Sequence, residues 1–469
     1  MVILLTVILL ILALPLASVP TVAGLTFGSP QAIELTPAAS RYPSTLQASD
    51  GKIWITWQQD YETGLYMTYS TGSGWSVIQS LPTGHQFVIS PSLAQLRNSS
   101  IMLLWSSNNT GRWNIYYKLY SNGAWHNAIR LTIGSSFDDF FPVAAVSANS
   151  TVYVFWERYF SSTSAPIYYK TLKGSVWSGD IQLSSPSNVD VKPTAVGTFD
   201  GKIRVAWSRL VSGNYYIYYR TYDGISWSAE SSLTSNNYDL GPNLVQDRNG
   251  TIWIFWSRQI KLSSGANAVY EQKLFYKTTF DGSSWSPDTQ LTFYGDVNLP
   301  LDDFEPSVVQ GVDKNLWIFY STDYPLGYEY DIYLIKSSSI FPVHNVVIRQ
   351  VQPTPYVFQE TIATILVTVS NVGDFSETIL VTITAANLTT YTIASGVSKT
   401  VPAGSTTTFS FTWNTTLVQL GKYTVTITYP RLTGQSILAS GGNTMQYKSL
   451  TLLPPFEGPA CHGLRNCPN

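Results

Sequence analysis

Short runs in which apolar and polar residues alternate dominate the chain, a pattern that predicts strands with one buried face. Residues 190–234 contain four such runs in succession: PTAVG, KIRVAWS, YYIYYRTY and WSAESSLT. Asp-Gly pairs separate them at Asp200-Gly201 and Asp223-Gly224. Asp-Gly between aromatic and β-branched runs favours a tight hairpin turn. The stretch therefore predicts one antiparallel sheet of four strands.

This unit recurs along the chain. A proline opens its first strand six times, with successive steps of 48, 51, 51, 49 and 64 residues, and an aromatic residue closes the second strand each time. The repeated positions are Pro43, Pro91, Pro142, Pro193, Pro242 and Pro306, and Trp57, Trp105, Trp156, Trp207, Trp256 and Tyr320. A four-stranded repeat of this length is typical of a β-propeller, because such a sheet buries both faces only when neighbours stack on it. We expect the repeated Trp residues to lie in the core between sheets.

The number of strands predicts how the ring closes. The sixth repeat ends after its third strand, residues 332–335, and an unmatched strand-like segment, residues 29–36, precedes the first repeat. We expect this segment to complete the sixth sheet beside residues 332–334, which removes exposed strand edges. The predicted fold is therefore all-β, with a six-bladed β-propeller over residues 27–340.

A second domain is predicted over residues 345–453. Val, Ile and Thr alternate there between short turns, which predicts an immunoglobulin-like β-sandwich of about 100 residues. The runs ILVTVSNVG (365–373), VPAGS (401–405) and FSFTW (409–413) resemble the CARDB-type immunoglobulin-like module. The resemblance implies a spacer or adhesion unit of a prokaryotic, especially archaeal, surface protein.

Several features predict export. Residues 2–19 are almost wholly apolar and precede Thr21-Val22-Ala23, which predicts a signal peptide over residues 1–23. No Lys or Arg precedes the apolar run, so a retained membrane anchor is the alternative. The tail, residues 454–469, contains Cys461 and Cys467, for which a local disulfide is expected rather than a metal site. Glycosylation sequons, which accompany export, occur at Asn98, Asn108, Asn149, Asn249, Asn387 and Asn414.

Composition narrows the class of partner. Charged residues make up 12% of the chain, aromatic residues 14%, and the net charge is −2. Without a basic field the chain is not expected to bind nucleic acid. The four histidines show no spacing typical of a hydrolytic triad or of zinc. We expect a secreted or cell-surface protein whose partner is a glycan or a protein of the cell envelope.

Repeated charges are predicted to cluster on one face of the propeller. An Asp stands three residues before four of the repeat prolines, and an Arg stands two residues after three of the repeat Trp residues. These residues are Asp139, Asp190, Asp239 and Asp303, and Arg158, Arg209 and Arg258. In the structural interpretation each Asp caps a turn or pairs with an Arg of an adjacent blade. Two alternatives are a carboxylate clamp formed by Arg41, Arg209 and Arg258 and a ring of carboxylates that holds Ca²⁺.

The fifth and sixth repeats carry the longest loops, and functional residues concentrate on such loops. Asp303 and Glu305, with Tyr324, Tyr328 and Tyr330, predict an aromatic and acidic platform for a sugar. The alternative is a loop that packs on itself.

The sequence also resembles the sialidase (BNR-repeat) superfamily. Residues 223–227 and 281–285, DGISW and DGSSW, are similar to its Asp-box turn, although one residue between Asp and Gly is missing. Ser40-Arg41-Tyr42-Pro43 is similar to its Arg-Ile-Pro motif. The resemblance implies a glycoside hydrolase acting on acidic sugars. Its candidate catalytic residues are Arg41, Asp60, Arg209, Arg258 and Tyr324. A binding or adhesion protein that recognises glycan is the preferred hypothesis, and this hydrolase is the alternative.

Overall fold

The computed structural model describes residues 26–34, 39–59, 64–134, 136–147, 149–235, 238–265, 267–293, 295–324, 329–337, 346–371, 373–430 and 444–455. All the regular secondary structure in these ranges consists of β-strands, so the protein is all-β. The predicted signal segment, Asp60, Tyr328, Cys461 and Cys467 lie outside the described residues. Among the residues described, no helix has the length and apolar character needed to cross a membrane.

Six antiparallel sheets follow one another along the chain. The first contains β2 (Ser40–Gln47), β3 (Ile53–Gln59), β4 (Gly64–Tyr69) and β5 (Gln79–Ser80), after β1 (Gln31–Glu34). The second contains β6 (Val88–Gln95), β7 (Ile101–Ser107), β8 (Asn114–Ser121), β9 (Ala124–Trp125) and β10 (Ile129–Arg130). The third contains β11 (Asp138–Val146), β12 (Val152–Tyr159), β13 (Ile167–Lys173), β14 (Val176–Trp177) and β15 (Ile181–Gln182).

The remaining three sheets of this series have four strands each. The fourth contains β16 (Val189–Gly197), β17 (Ile203–Val211), β18 (Asn214–Tyr222) and β19 (Ser231–Ser232). The fifth contains β20 (Asp239–Gln246), β21 (Ile252–Lys261), β22 (Tyr270–Thr279) and β23 (Thr289–Gln290). The sixth contains β24 (Asp303–Gln310), β25 (Leu316–Thr322), β26 (Asp331–Lys336) and the N-terminal β1.

The six first strands form a closed circuit, because β2, β6, β11, β16, β20 and β24 each contact the next and β24 contacts β2. Strand β1 pairs with β26, with Gln31 opposite Leu334 and Ala32 opposite Tyr333. This is the partner that the sequence predicted for the N-terminal strand. The fourth strands are shorter than predicted, since β5, β19 and β23 have two residues each.

Aromatic side chains fill the spaces between neighbouring sheets. The six repeated Trp and Tyr side chains at the ends of the second strands are all fully buried. Trp156, for example, packs in a cluster with Leu104 and Ile115 of the preceding sheet. Burial of a ring of this size between sheets contributes a large apolar area, so the repeat spacing seen in the sequence reflects this packing.

Two further sheets follow from residue 346 and share one hydrophobic core, which contains Trp413 and Tyr423. The three-stranded sheet contains β27 (Val346–Pro353), β29 (Ile362–Asn371) and β32 (Thr406–Asn414). The five-stranded sheet contains β28 (Tyr356–Phe358), β30 (Glu377–Ala386), β31 (Thr390–Val401), β33 (Gly421–Thr428) and β34 (Thr444–Leu453). Strand β28 joins β34 in parallel, and the other pairs are antiparallel.

Candidate functional site

Each first strand of the six sheets contains a β-bulge at its repeat proline. In the first sheet Arg41 lies opposite Gln58 and Ser44 lies opposite Thr56, so two residues, Tyr42 and Pro43, face Trp57 alone. The same register shift occurs in the other five sheets. A bulge of this kind bends the strand and redirects a side chain.

The residue before each repeat proline has a left-handed backbone. These residues are Tyr42 (φ 57°), Ser90 (φ 54°), Phe141 (φ 51°), Lys192 (φ 51°), Gly241 (φ 62°) and Glu305 (φ 57°). Five of the six are not glycine, and a residue before proline normally prefers an extended conformation. Such residues persist where the surrounding structure imposes them, and they concentrate at functional sites.

These six residues surround a pocket that lies on the axis of the ring. The axial pocket, as we call it, is lined by the six pre-proline residues, by the prolines and by the residues that follow them, and its volume is 190 Å³. Sites for drug-sized ligands have volumes of about 300–1,000 Å³. The axial pocket therefore suits one small polar group rather than a large apolar molecule.

Lys192 and Glu305 form the charged centre of the axial pocket. Lys192 Nζ lies 3.2 Å from Glu305 Oε1, and it also lies 5.0 Å from the ring centroid of Tyr42 and 5.4 Å from that of Phe141. Arg41 reaches the same carboxylate at 3.5 Å. Burial opposes the charge of Lys192, but its interactions with Tyr42 and Glu305 outweigh burial and raise its pKa. The side chain of Lys192 thus crosses the axis from the fourth sheet and connects the first, third and sixth sheets.

Backbone N–H groups of pre-proline residues donate to side chains of the preceding sheet in the ring, and for Tyr42 and Lys192 the acceptor is a carboxyl group. The N–H of Tyr42 donates to Glu305 Oε2 at 2.9 Å. The backbone N–H of Lys192 donates to Glu157 Oε2 at 3.0 Å. The equivalent N–H groups of Ser90, Gly241 and Glu305 donate to the side chains of Gln58, Ser208 and Ser257. Burial raises the pKa of Glu157, which is 6% exposed, to about 7. Glu157 therefore changes its charge near neutral pH, a property that the hydrogen bond alone does not require.

One polar atom of the axial pocket has no partner within the described residues. Ser90 is 5% exposed and lines the pocket, and its Oγ makes no hydrogen bond there. A buried hydroxyl left without a hydrogen bond costs about 1–3 kcal/mol. A ligand with a hydroxyl or carboxyl group would satisfy it.

The repeated Asp and Arg residues form buried ion pairs. Arg209 Nε and Nη2 donate to Asp190 at 2.6 and 2.8 Å, and its Nη1 donates to Glu230 at 2.6 Å. Arg158 and Arg258 bind their own Asp in the same bidentate way. Each pair lies within one sheet, because the two residues are opposite each other in register. The prediction that the pairs join adjacent blades is therefore wrong, although the interpretation as structural pairs agrees with this geometry.

These pairs also bear on the two alternative interpretations. The guanidinium groups of Arg209 and Arg258 are occupied by carboxylates, so they do not converge with Arg41 on one anion. Across the described ranges, no group of three or more His, Cys, Asp or Glu residues could hold a metal ion. The predicted carboxylate clamp and Ca²⁺ ring are not formed by these residues.

The predicted platform of the sixth sheet is divided between two environments. Glu305 lines the axial pocket. Arg41, which lies 3.5 Å from the Glu305 carboxylate, connects it to Tyr330, whose ring centroid is 5.2 Å from the guanidinium group. Asp303 is buried away from the pocket and accepts a hydrogen bond from Thr322 Oγ1 at 2.7 Å, and burial raises its pKa to about 6. Tyr324 packs edge to face on Tyr333.

The sequon residues lie at turns or strand ends. Asn98, Asn149, Asn387 and Asn414 are exposed, and Asn108 and Asn249 are half-buried. Asn98 Oδ1 accepts the backbone N–H of Ser100 at 3.1 Å, so this side chain also shapes its own turn.

No protein-family model matches the sequence, and no curated protein matches it. Solved structures do resemble the chain. A protein of unknown function from Dyadobacter fermentans has a TM-score of 0.55 and 11% identity, and the match covers 67% of the present chain and 99% of that protein. The GH93 α-L-arabinofuranosidase of Fusarium graminearum, in complex with arabinobiose, has a TM-score of 0.52 and 14% identity, with coverage of 66% and 97%. The chain has a β-propeller fold.

The residues directly before the repeat prolines indicate the axial pocket in the sequence itself, but our prediction did not use them. Our prediction considered the residue three before each proline, where Asp recurs and the role is structural. The residue directly before the proline differs in all six repeats, and it includes Tyr42, Ser90 and Lys192. Variation at a fixed architectural position is a signal of function, because the fold itself does not select the side chain. Glu157 is a similar exception at a position that other repeats fill with Gln or Ser.

Proposed function

We propose that this chain is a secreted or cell-surface carbohydrate-binding protein, in which the axial pocket holds one residue of a glycan. In this proposal the six sheets are the six blades of the propeller, completed by the N-terminal strand. The two C-terminal sheets form an immunoglobulin-like module that spaces or docks the propeller at the cell envelope. The sequons and the apolar N-terminal segment support the proposed location.

The composition of the axial pocket is the observation that carries this proposal. It combines a cation, a carboxylate, two aromatic rings and an unpaired hydroxyl, contributed by Lys192, Glu305, Tyr42, Phe141 and Ser90. A sugar presents hydroxyl groups at its edge and C–H groups on its faces, which such a set can bind. The fold does not require these side chains, because the fifth sheet has glycine at the same position with the same left-handed backbone.

A structural relative supports the choice of ligand class. The Fusarium graminearum propeller has been solved with arabinobiose bound, so a propeller of this kind can hold a short saccharide. A protein of the cell envelope is the alternative partner. The small volume of the axial pocket favours a sugar residue over a protein side-chain cluster as the group that enters it.

Glycoside hydrolysis is a second candidate function, favoured by Glu157. Its pKa of about 7 suits a group that gives a proton to a leaving oxygen near neutral pH, and it lies beside Lys192. The sialidase-like version of this reaction receives no support from Arg209 and Arg258, which are occupied by Asp190 and Asp239.

The experiment is a glycan array on the purified full chain, followed by calorimetric titration of the best oligosaccharide and of arabinobiose. We expect Lys192→Met and Glu305→Gln to weaken binding at least tenfold. Lys173→Met, the same change at an exposed lysine of β13, is the matched control and should bind as wild type. Unchanged affinity in Lys192→Met, or binding of no saccharide, would overturn the proposal. Release of reducing sugar that Glu157→Gln abolishes would establish the hydrolase instead.

A further inference from the structure

We infer that the saccharide bound in the axial pocket is part of a longer chain, which leaves the pocket along a row of aromatic side chains between the second and third sheets. This aromatic track consists of Phe140, Trp113, Phe137, Phe160 and Tyr159. The inference rests on the proposed function, because it extends the binding site from one sugar residue to several.

The track begins at the pocket and runs outward. Phe141 lines the axial pocket, and Phe140 precedes it in the chain. The Phe140 ring lies 5.5 Å from that of Trp113, and farther from the axis the Phe137 ring lies 4.3 Å from that of Phe160. The connection that contains Phe137 carries the chain from the outermost strand of the second sheet to the innermost strand of the third. Residues 137–141 therefore approach the axis step by step.

Four rings of the track pack in two pairs, Trp113 with Phe140 and Phe137 with Phe160, and all five remain accessible. Phe137 and Tyr159 are each 42% exposed, and Trp113, Phe140 and Phe160 are half-buried. Paired rings of this kind have fixed orientations, so binding orders few side chains. The track thus presents paired rings of fixed orientation, and its first residue, Phe140, is the chain neighbour of the pocket-lining Phe141.

Other sheets of the propeller show that its packing does not require these rings. Where the third sheet has Phe140, the second, fourth and fifth sheets have Ile89, Val191 and Leu240. Where the third sheet has Phe160, these sheets have the residues Asn109, Val211 and Ile260. The sixth sheet has aromatic residues, Phe304 and Tyr324, at these two positions. Aliphatic or polar residues suffice in the second, fourth and fifth sheets, so the packing of a sheet in this ring does not by itself require Phe140 and Phe160.

The chemistry of the track favours a saccharide over a peptide or a lipid. The face of an aromatic ring is negative and attracts the C–H groups of a sugar ring. Beside the track Arg112 lies 3.9 Å from Asp138 and is largely exposed, and Asp138 also accepts the N–H of Trp113 at 2.9 Å. This pair supplies donors and acceptors for sugar hydroxyls.

The test measures affinity against chain length on the full protein, produced without N-glycans so that no glycan on Asn108 covers the track. The probes are arabino-oligosaccharides of two to six residues and matched xylo- and cello-oligosaccharides, titrated by calorimetry. In wild type we expect affinity for one series to rise at least tenfold from two to five residues. Trp113→Ala and Phe160→Ala should abolish this rise and leave disaccharide affinity within twofold.

The matched control is Tyr238→Ala, which removes a half-buried ring that packs on Tyr215 between the fourth and fifth sheets, away from the track between the second and third. It should keep the dependence on chain length. Two results would overturn the inference and leave the proposed function intact. In the first, wild type binds the disaccharide but its affinity does not rise with chain length. In the second, Trp113→Ala and Phe160→Ala retain the rise in affinity. Binding of no saccharide by the wild type overturns both the inference and the proposed function.

Discussion

The buried ion pair of the fourth sheet allows a sharp test of what the repeated Arg residues do. Asp190 is fully buried and Arg209 is 8% exposed, and two hydrogen bonds of 2.6 and 2.8 Å join them. Arg209→Met leaves the Asp190 carboxylate buried without its cation. Removal of one partner from a buried pair costs about 3–5 kcal/mol. Because unfolding entropy is about 2.1 cal/mol/K per residue, a propeller of about 310 residues should lose roughly 5–8 °C in melting temperature.

Scanning calorimetry of the full chain measures this change. The double variant Asp190→Leu/Arg209→Met removes both charges and should recover most of the lost melting temperature, because replacement of a whole buried pair by apolar groups is often neutral. Lys173→Met removes an exposed lysine and should shift the transition by less than about 1 °C.

Two results would refute the structural role of Arg209. The first is a fall of less than about 1.5 °C in Arg209→Met, which corresponds to about 1 kcal/mol on the same entropy. The second is a double variant no more stable than the single one, which would mean that the unpaired Asp190 carboxylate does not destabilise Arg209→Met. If either result came with loss of saccharide binding, Arg209 would be a ligand group after all.

Three further predictions concern the axial pocket, the contact between the third and fourth sheets, and the closure of the ring. Because the pKa of Glu157 is about 7 when folded and near 4.5 when unfolded, wild type should lose about 2.5 kcal/mol of stability as pH rises from 5 to 8. Glu157→Gln should lose less in a melting series over that range. Gly197→Ala should destabilise by several degrees, since a Cβ there would lie 2.1 Å from the Val146 carbonyl oxygen, whereas Gly179→Ala meets open space and should be neutral in the same melting assay. A chain that begins after Glu34 exposes the edge of β26, so size-exclusion chromatography should show aggregates that full-length protein lacks.

The repeat architecture could be predicted from the sequence because packing imposes it at fixed intervals. Trp156 and its equivalents fill the same space in every sheet, so their spacing reports the fold directly. The pairing of β1 with β26 could be predicted because one strand was missing at the end and one was spare at the start. The Asp–Arg pairs were assigned to the wrong partners because the β-bulge adds one residue to each first strand. That extra residue brings Asp190 and Arg209 into register within one sheet, and no local sequence rule shows it.

The axial pocket could not be predicted from the sequence, for a related reason. A residue before proline is expected to be extended, so nothing in the sequence predicts that Lys192 or Glu305 has a left-handed backbone. The ring imposes this conformation, because six first strands meet at one axis and each bulges at the same level. Propensity rules describe a chain segment alone and therefore fail where six segments constrain one another.

The strain at the axis supports a functional interpretation of the pocket. A non-glycine residue in a left-handed conformation costs of the order of 1–3 kcal/mol, and five of the six pre-proline residues carry this strain. Gly241 shows that the fifth sheet has the same bulge with the one residue that adopts it freely. Glycine at all six positions would relieve the strain without changing the bulge. The chain instead has Lys192, Glu305 and Tyr42 there, so their side chains must contribute what glycine cannot: charge and a ring face directed at whatever enters the axis.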